Sequence, residues 1–145
     1  RGGLKPMIPS LVVRPTEVEQ LGQVVKRCYE EGIPMTVRGS GTNLTGGTIP
    51  DCSDTIVILT TGLNKILEIN TEDLYATVQP GVITAKFAAA VAAKGLFYPP
   101  DPGSMSVSTI GGNVAESSGG LRASSTARPK ITSWAWKSSP TPVIW

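Results

Sequence analysis

Two glycine-rich segments contain the residues best suited to bind a phosphorylated ligand. Residues 37–47 have the sequence V-R-G-S-G-T-N-L-T-G-G, and residues 100–120 have the sequence P-D-P-G-S-M-S-V-S-T-I-G-G-N-V-A-E-S-S-G-G. Glycine allows the backbone to approach a ligand closely, so that successive N–H groups point at one anion. Serine and threonine hydroxyls add donors, and Arg38 adds positive charge. The pattern predicts a diphosphate site, although glycine content alone is equally typical of a flexible surface loop.

Neither segment has a standard nucleotide-binding motif. A Rossmann fingerprint continues directly into a helix, whereas residues 48–51 are T-I-P-D, which is not a helix start. A Walker A loop requires a lysine, and residues 37–47 contain none. In the second segment, Gly111 and Gly112 lie in the first turn of a predicted helix, where unpaired N–H groups favour electron-rich ligand groups. Two such loops in one short domain favour a shared ligand.

The spacing of apolar and turn-forming residues predicts the elements that position these loops. Strands are predicted at residues 11–13, 34–37, 55–59, 66–69, 75–79 and 97–98, and helices at residues 16–31, 84–94 and 109–116. This order of strands and helices predicts a mixed α+β fold.

Local signals define several of these boundaries. Thr16 and Glu19 have the spacing of a capping box at the start of the first helix, and Gly32 supplies its stop. Cys28 lies on the apolar stripe of that helix and is expected to be a buried core thiol. Residues 70–73, N-T-E-D, have the chemistry of a hairpin loop between two strands.

The composition excludes several kinds of site. The chain has 145 residues, typical of one domain. It contains no histidine, so Ser-His and Cys-His nucleophile pairs, histidine bases and histidine metal sites are excluded. Cys28 and Cys52 are too few for a zinc quartet or a disulfide framework. The composition therefore predicts no metal site in the chain and none of these catalytic arrangements.

Charge and hydropathy also limit the partners. Residues 1–120 carry nine basic and eleven acidic side chains, whereas residues 121–145 carry four basic and no acidic ones. A slightly acidic body does not favour a nucleic-acid partner. No apolar run approaches the ~18 residues that span a bilayer. The expectation is a cytoplasmic protein without a transmembrane segment, peripheral to a membrane at most.

The order of three segments resembles a known family. The two glycine-rich segments, with G-L-N-K-I-L-E-I-N-T-E-D-L-Y-A-T-V-Q-P-G-V between them, resemble the PCMH-type FAD-binding domain of the vanillyl-alcohol oxidase superfamily. The motifs are most similar to those of glycolate oxidase D subunits and FAD-linked D-lactate dehydrogenases. The resemblance covers residues 9–123. It implies an α+β fold of two small α/β subdomains with FAD between them.

The resemblance also implies a set of cofactor-binding residues. The first loop would hold the FAD diphosphate, the second would line the flavin and ribityl side, and the segment around Gly81, with Pro80 and Val82, would approach the adenine end. Some relatives attach the flavin through histidine, so a chain without histidine is expected to bind FAD non-covalently. The implied set is Gly39, Ser40, Gly41, Thr42, Asn43, Leu44, Thr45, Gly81, Asp101, Ser108, Thr109, Gly112, Glu116, Ser117, Ser118 and Gly119.

The chain departs from the family pattern after Ala123. The family continues with a segment like L-R-x-V-K-Y-G, whereas this chain continues with S-S-T-A-R-P-K and contains all three tryptophans there. A reading frame shifted by one base can encode V-K-Y-G and a family-like continuation when the synonymous codons are chosen to permit it. We hypothesise that residues 1–123 are a partial FAD-binding domain and that residues 124–145 are out of frame and disordered. The alternative is a genuine divergent or spliced tail.

The resemblance implies an activity for the longer parent protein. It would oxidise a 2-hydroxy acid of the glycolate or D-lactate type to the 2-oxo acid, with partner subunits or an electron acceptor. The substrate cap of the family lies beyond this segment, so the chain alone is expected to bind FAD without turnover. Two alternatives stay open. One is an FAD-containing transferase of the alkyl-dihydroxyacetone-phosphate synthase type, and the other is an inactive fragment that binds no flavin.

Overall fold

A computed structural model describes residues 7–120 and contains two small sheets with three helices. The proposed out-of-frame segment, residues 124–145, lies outside the described residues. The elements are β1 (Leu11–Val13), α1 (Val18–Glu30), β2 (Met35–Arg38), β3 (Ile56–Leu59), a 3₁₀ turn (Thr60–Gly62), β4 (Ile66–Asn70), β5 (Tyr75–Val78), α2 (Thr84–Ala92) and α3 (Ile110–Ala115). Eight of the predicted elements are present within two residues of their expected ends, and the α+β prediction is confirmed. The strand expected at residues 97–98, between α2 and α3, was wrong, because that stretch of the described chain pairs with no strand and leads into the proline-rich loop.

The first sheet is parallel, in the order β1-β3-β2. Leu11 of β1 and Met35 of β2 both lie opposite Ile56 of β3. The helix α1 connects the two outer strands, as parallel strands require a long crossover. Because all three strands point the same way, β2 delivers the first glycine-rich loop to the carboxyl edge of this sheet, where open α/β sheets bind ligands.

The predicted N-cap of α1, Thr16, was wrong by one residue. Glu17, with φ −127° and ψ 150°, is the N-cap, and Val18 is the first helical residue. The Oε1 atom of Gln20 accepts hydrogen bonds from the backbone N–H groups of Thr16 at 3.0 Å and Glu17 at 3.3 Å. The capping hydrogen bond predicted for the side chain of Glu19 is therefore made by Gln20, because the helix begins one residue later than predicted. Glu19 is the second residue of the helix, and its side chain is exposed.

The second sheet is the antiparallel hairpin β4–β5. The Oδ1 atom of Asn70 accepts from the N–H groups of Glu72 at 2.9 Å and Asp73 at 2.8 Å, which confirms the predicted hairpin loop. A core of four buried apolar residues joins this hairpin to α2 and α3, namely Val82, Phe87, Val91 and Ile110. This core holds the start of α3, and hence the second glycine-rich loop, in place.

Candidate functional site

The first loop presents unpaired backbone donors beside a cation. The N–H groups of Ser40, Gly41 and Thr42 make no hydrogen bond to any residue between 7 and 120. Gly41 has φ +70°, and a Cβ built on it would lie 2.9 Å from Nε of Arg38 and closer still to the rest of the guanidinium. Arg38 therefore folds back over Gly41 because glycine leaves room for it. This arrangement can stabilise an anion at the start of the loop.

Asn43 uses the donors of the second half of the loop internally. Its amide lies 3.0 Å from Oγ1 of Thr45 and 2.9 Å from Oγ1 of Thr48. When the amide oxygen faces the backbone N–H groups of Gly46 and Gly47, it accepts from them at 3.3 and 3.1 Å. The side chain of Asn43 thus stabilises the conformation of the loop. The backbone N–H groups that stay available to a ligand precede Asn43 in the sequence.

The second loop is closed at its ends and anchored in the core. The N–H group of Asp101 donates to the carbonyl oxygen of Gly119 at 3.2 Å. The buried hydroxyls of Thr84 and Ser108 lie 2.9 Å apart, and Nδ2 of buried Asn113 donates to Oγ1 of Thr84 at 2.7 Å. These hydrogen bonds link the loop to the first turn of α2 and to the middle of α3.

Thr109 caps α3. Its Oγ1 accepts from the N–H group of Gly112 at 3.2 Å, and its side chain is buried. Ser108 and Thr109 were predicted to contact the cofactor, but the hydroxyls of both bond to protein groups in this structure. Contact of these two residues with a ligand therefore remains a prediction, and their observed role is to position α3.

The two loops contact each other. Oγ1 of Thr45 donates to the carboxylate of Glu116, and a Cβ built on Gly39 would collide with Oγ1 of Thr109. Gly39 must therefore be glycine for the loops to approach this closely. The fold thus brings predicted site residues from both loops together. Glu116 adds negative charge at the far end of the first loop, so an anion is favoured at the Arg38 end.

Gly81 lies apart from the contact between the two loops, and close backbone packing explains why this position is glycine. Gly81 is buried, and its N–H group donates to the carbonyl oxygen of Leu63 at 2.7 Å. A Cβ at Gly81 would lie 2.7 Å from that oxygen and 2.9 Å from Cα of Thr61. The backbone of the 3₁₀ turn therefore requires glycine here. The predicted approach of Gly81 to an adenine ring stays untested.

A cavity of about 250 Å³ adjoins the second loop. Four of its lining residues were absent from the predicted set, namely Tyr98, Pro100, Asn113 and Val114. Ser117, which was in the set, has a φ of +52° that is unusual for serine. Burial raises the pKa of Tyr98, and the Asn113 amide partly offsets this shift. No part of the sequence pattern marked Tyr98, whereas Asn113 follows the G-G pair directly. The cavity is lined by Tyr98, Pro100, Asn113, Val114, Ser117, Ser118 and Gly119.

Some alternatives are absent from the described part of the chain. Residues 7–120 contain no cluster of three acidic, histidine or cysteine side chains able to hold a metal ion. Within the same residues, none of the helices has the length and apolar character needed to cross a bilayer. The groups described at the candidate site are backbone N–H groups, hydroxyls, the guanidinium of Arg38 and the carboxylate of Glu116.

An α+β domain whose two glycine-rich loops meet at the edge of a parallel sheet is the architecture of a cofactor-binding domain. The family described as "FAD binding domain" matches residues 9–128. The chain belongs to this family.

The chain is similar to glycolate oxidase and D-lactate dehydrogenase sequences. It is 52% identical over 115 residues to glycolate oxidase subunit GlcD of Bacillus subtilis, covering 79% of this chain and 24% of that protein. It is 40% identical over 113 residues to GlcD of Escherichia coli K12, covering 78% and 22%. It is 40% identical over 115 residues to D-lactate dehydrogenase of Anaerostipes hadrus, covering 79% and 24%. The chain thus spans about a quarter of the length of these relatives.

Solved structures show the same fold. An alkyldihydroxyacetonephosphate synthase structure superposes with a TM-score of 0.72 at 24% identity, covering 79% of this chain and 23% of that one. At this identity the likeness establishes the fold alone.

Proposed function

We propose that the chain is the cofactor-holding part of a flavin-dependent oxidoreductase that converts a 2-hydroxy acid of the glycolate or D-lactate type to the 2-oxo acid. The structural observation that supports it is the cradle formed by Arg38 and the unpaired N–H groups of Ser40, Gly41 and Thr42, next to the second loop. The substrate class is supported by relatives named glycolate oxidase subunit and D-lactate dehydrogenase.

The residues fit FAD as a ligand. The diphosphate is proposed to lie against Ser40, Gly41 and Thr42, with Arg38 offsetting its charge and Glu116 excluding it from the other end. The flavin side is proposed to lie along residues 117–119. FAD bound in this way would accept a hydride from the α-carbon of the substrate. The residues of this chain bind and orient the cofactor, and those that choose the substrate are proposed to lie in the part of the relatives outside the aligned quarter.

Three further features of the proposal follow from the chain and its relatives. FAD is proposed to be held non-covalently, since the chain has no histidine to form a covalent link. Assembly with other subunits is proposed because the name of the Bacillus subtilis relative contains the word subunit. The cytoplasmic location remains a prediction.

The transferase alternative is less well supported. The similarity to alkyldihydroxyacetonephosphate synthase concerns the fold at 24% identity, whereas the glycolate oxidase and lactate dehydrogenase relatives reach 40–52%. We therefore propose the oxidoreductase.

Titration of the chain with FAD tests cofactor binding. We expect saturable quenching of flavin fluorescence, with the fold monitored by circular dichroism. A folded chain that leaves FAD fluorescence unchanged would contradict the proposal.

Substrate class is then tested on the longer parent protein by anaerobic addition of glycolate or D-lactate. Loss of the visible flavin absorbance is expected with a 2-hydroxy acid, and its retention with both acids would overturn the assignment.

A further inference from the structure

The short helix α3 is held at its start and in its middle by different kinds of group. It has six residues, and an isolated helix below about 12 residues is not stable in water, so its orientation depends on contacts with the rest of the protein. At its start, the N–H group of Ile110 donates to the carbonyl oxygen of Val82 at 2.8 Å. The N–H group of Gly111 donates to that of Pro80 at 2.8 Å. The middle of the helix is held by a side chain, that of Asn113.

The amide of Asn113 bonds to two other parts of the chain. Asn113 is 6% exposed, and its Nδ2 donates to Oγ1 of Thr84, the first residue of α2, at 2.7 Å. Burial raises the pKa of Tyr98, and a hydrogen bond with the Asn113 side chain lowers it in part. Asparagine is a weak helix former and is costly to bury without partners. These two bonds, rather than helix formation, therefore explain a polar residue at this place.

The backbone of Asn113 fixes the turn that follows α3. Its carbonyl oxygen accepts from the N–H group of Ser118 at 2.8 Å, and the carbonyl oxygen of Val114 accepts from the N–H group of Ser117 at 3.1 Å. These bonds hold Ser117 at φ +52°, a left-handed conformation that costs free energy for serine and persists only where the surroundings fix it. A displacement of Asn113 would therefore displace residues 117–119.

Asn113 and residues 117–119 line the same cavity, and the turn at residues 117–119 is where the flavin side of the cofactor is proposed to lie. Binding groups keep their geometry only when the residues behind them are fixed by packing and hydrogen bonds. We propose that Asn113 is a positioning residue that, through its bonds to Thr84 and Tyr98, holds this turn in the conformation that binds the flavin. The inference rests on the proposed function and adds a residue outside the predicted set.

Two substitutions in the 145-residue chain test this role. Asn113→Leu keeps the size of the side chain and removes both of its hydrogen bonds. Tyr98→Phe removes one of them, and because the Tyr98 hydroxyl is shielded from solvent, its loss leaves the surface of the cavity unchanged. Asn64→Leu is the matched control, since Asn64 is exposed and follows the 3₁₀ turn.

The measured quantities are FAD affinity and the visible absorption spectrum of the saturated complex, at a temperature where circular dichroism shows each variant to be folded. We expect the affinity to fall about threefold in Tyr98→Phe and about tenfold or more in Asn113→Leu. The flavin band is expected to shift in the same direction in both variants, because the turn against the flavin has moved. Asn64→Leu is expected to match the unsubstituted chain in both quantities.

The outcomes separate this inference from the proposed function. If folded Asn113→Leu binds FAD with the affinity and spectrum of the unsubstituted chain, the positioning role is overturned and the proposed function stands. A lower affinity with an unchanged spectrum of the saturated complex shows a purely structural role and also overturns it. If Asn113→Leu does not fold, Tyr98→Phe decides by the same two criteria. If the folded unsubstituted chain does not bind FAD, the proposed function fails and this inference fails with it.

Discussion

The hydroxyl of Thr45 donates to the carboxylate of Glu116, at 2.9 Å from Oε1 and 3.1 Å from Oε2, across 71 residues of sequence. This hydrogen bond joins the middle of the first glycine-rich loop to the C-terminal cap of α3. Both side chains are exposed, so the bond contributes little to overall stability. Together with the close approach of Gly39 to Thr109, it fixes the spacing between the two loops of the proposed ligand site.

Thr45→Val removes this inter-loop hydrogen bond while preserving side-chain shape. We expect FAD affinity to fall about threefold to tenfold, because the loops lose a fixed spacing and the ligand must order them. The free energy of unfolding should change by less than about 1 kcal/mol, since the bond is exposed. Isothermal titration with FAD and chemical denaturation measure the two quantities. Thr71→Val, in the exposed hairpin turn, is the control, and equal affinities for the two variants would refute the loop-joining role.

Arg38→Gln tests the position of the anion. The guanidinium lies over Gly41, beside the unpaired N–H groups. Loss of a cation next to a diphosphate is expected to weaken FAD binding about tenfold and to make the affinity less sensitive to salt. Arg27→Gln is the matched control, because Arg27 lies on α1 in an exposed ion pair with Glu31. If the affinity for FAD depends on salt as steeply in Arg38→Gln as in Arg27→Gln, the diphosphate does not lie at Arg38.

Gly81→Ala is expected to destabilise the fold. The added Cβ would lie 2.7 Å from the carbonyl oxygen of Leu63 and 2.9 Å from Cα of Thr61, so backbone must move. We expect a loss of about 1–3 kcal/mol in the free energy of unfolding, measured by urea denaturation. Gly103→Ala serves as the control, since nothing lies within 4 Å of its added methyl group. Unchanged stability of Gly81→Ala would show that the turn at residues 60–62 is not packed as described.

Thr84→Val tests the buried polar network under the second loop. The substitution keeps the shape of the side chain but leaves Nδ2 of Asn113 and Oγ of Ser108 without their partner. Unpaired buried groups cost about 1–3 kcal/mol each, so the two together are expected to lower the unfolding free energy by roughly 2–6 kcal/mol. Thr77→Val, at an exposed position of β5, should be within about 0.5 kcal/mol of the original chain. A Thr84→Val variant as stable as Thr77→Val would contradict the network.

Much of the local structure was predictable because neighbouring residues determine it. The turn at residues 70–73 follows from an asparagine that bonds to backbone two and three positions ahead. The end of α1 follows from Gly32, whose φ of +66° other residues adopt at a cost. The start of α1 was misplaced because Glu19 and Gln20 are adjacent and both able to accept the capping hydrogen bonds. Only the backbone conformation at Glu17 decides between them.

The sequence predicted the two loops of the candidate site, but not which of their residues contact each other. The glycine spacing marked Gly41 as a position of close approach, without indicating that Arg38 would be the group approaching it. Gly81 was assigned to a ligand because it stands in a family motif, whereas the structure shows backbone of the 3₁₀ turn against it. Tyr98 was missed because a single tyrosine in an apolar stretch has no pattern. Its place beside Asn113 in the wall of the cavity depends on residues brought in from other elements.

The sequence by itself determined the identities and approximate ends of the elements, the two glycine-rich loops and the resemblance to an FAD-binding family, because each depends on residues close together in the chain. The tertiary structure alone decided the strand order β1-β3-β2, the contact of Thr45 with Glu116 and the cavity beside Tyr98. These features join residues tens of positions apart. They depend on which faces pack together, and local preferences in the chain do not specify that packing.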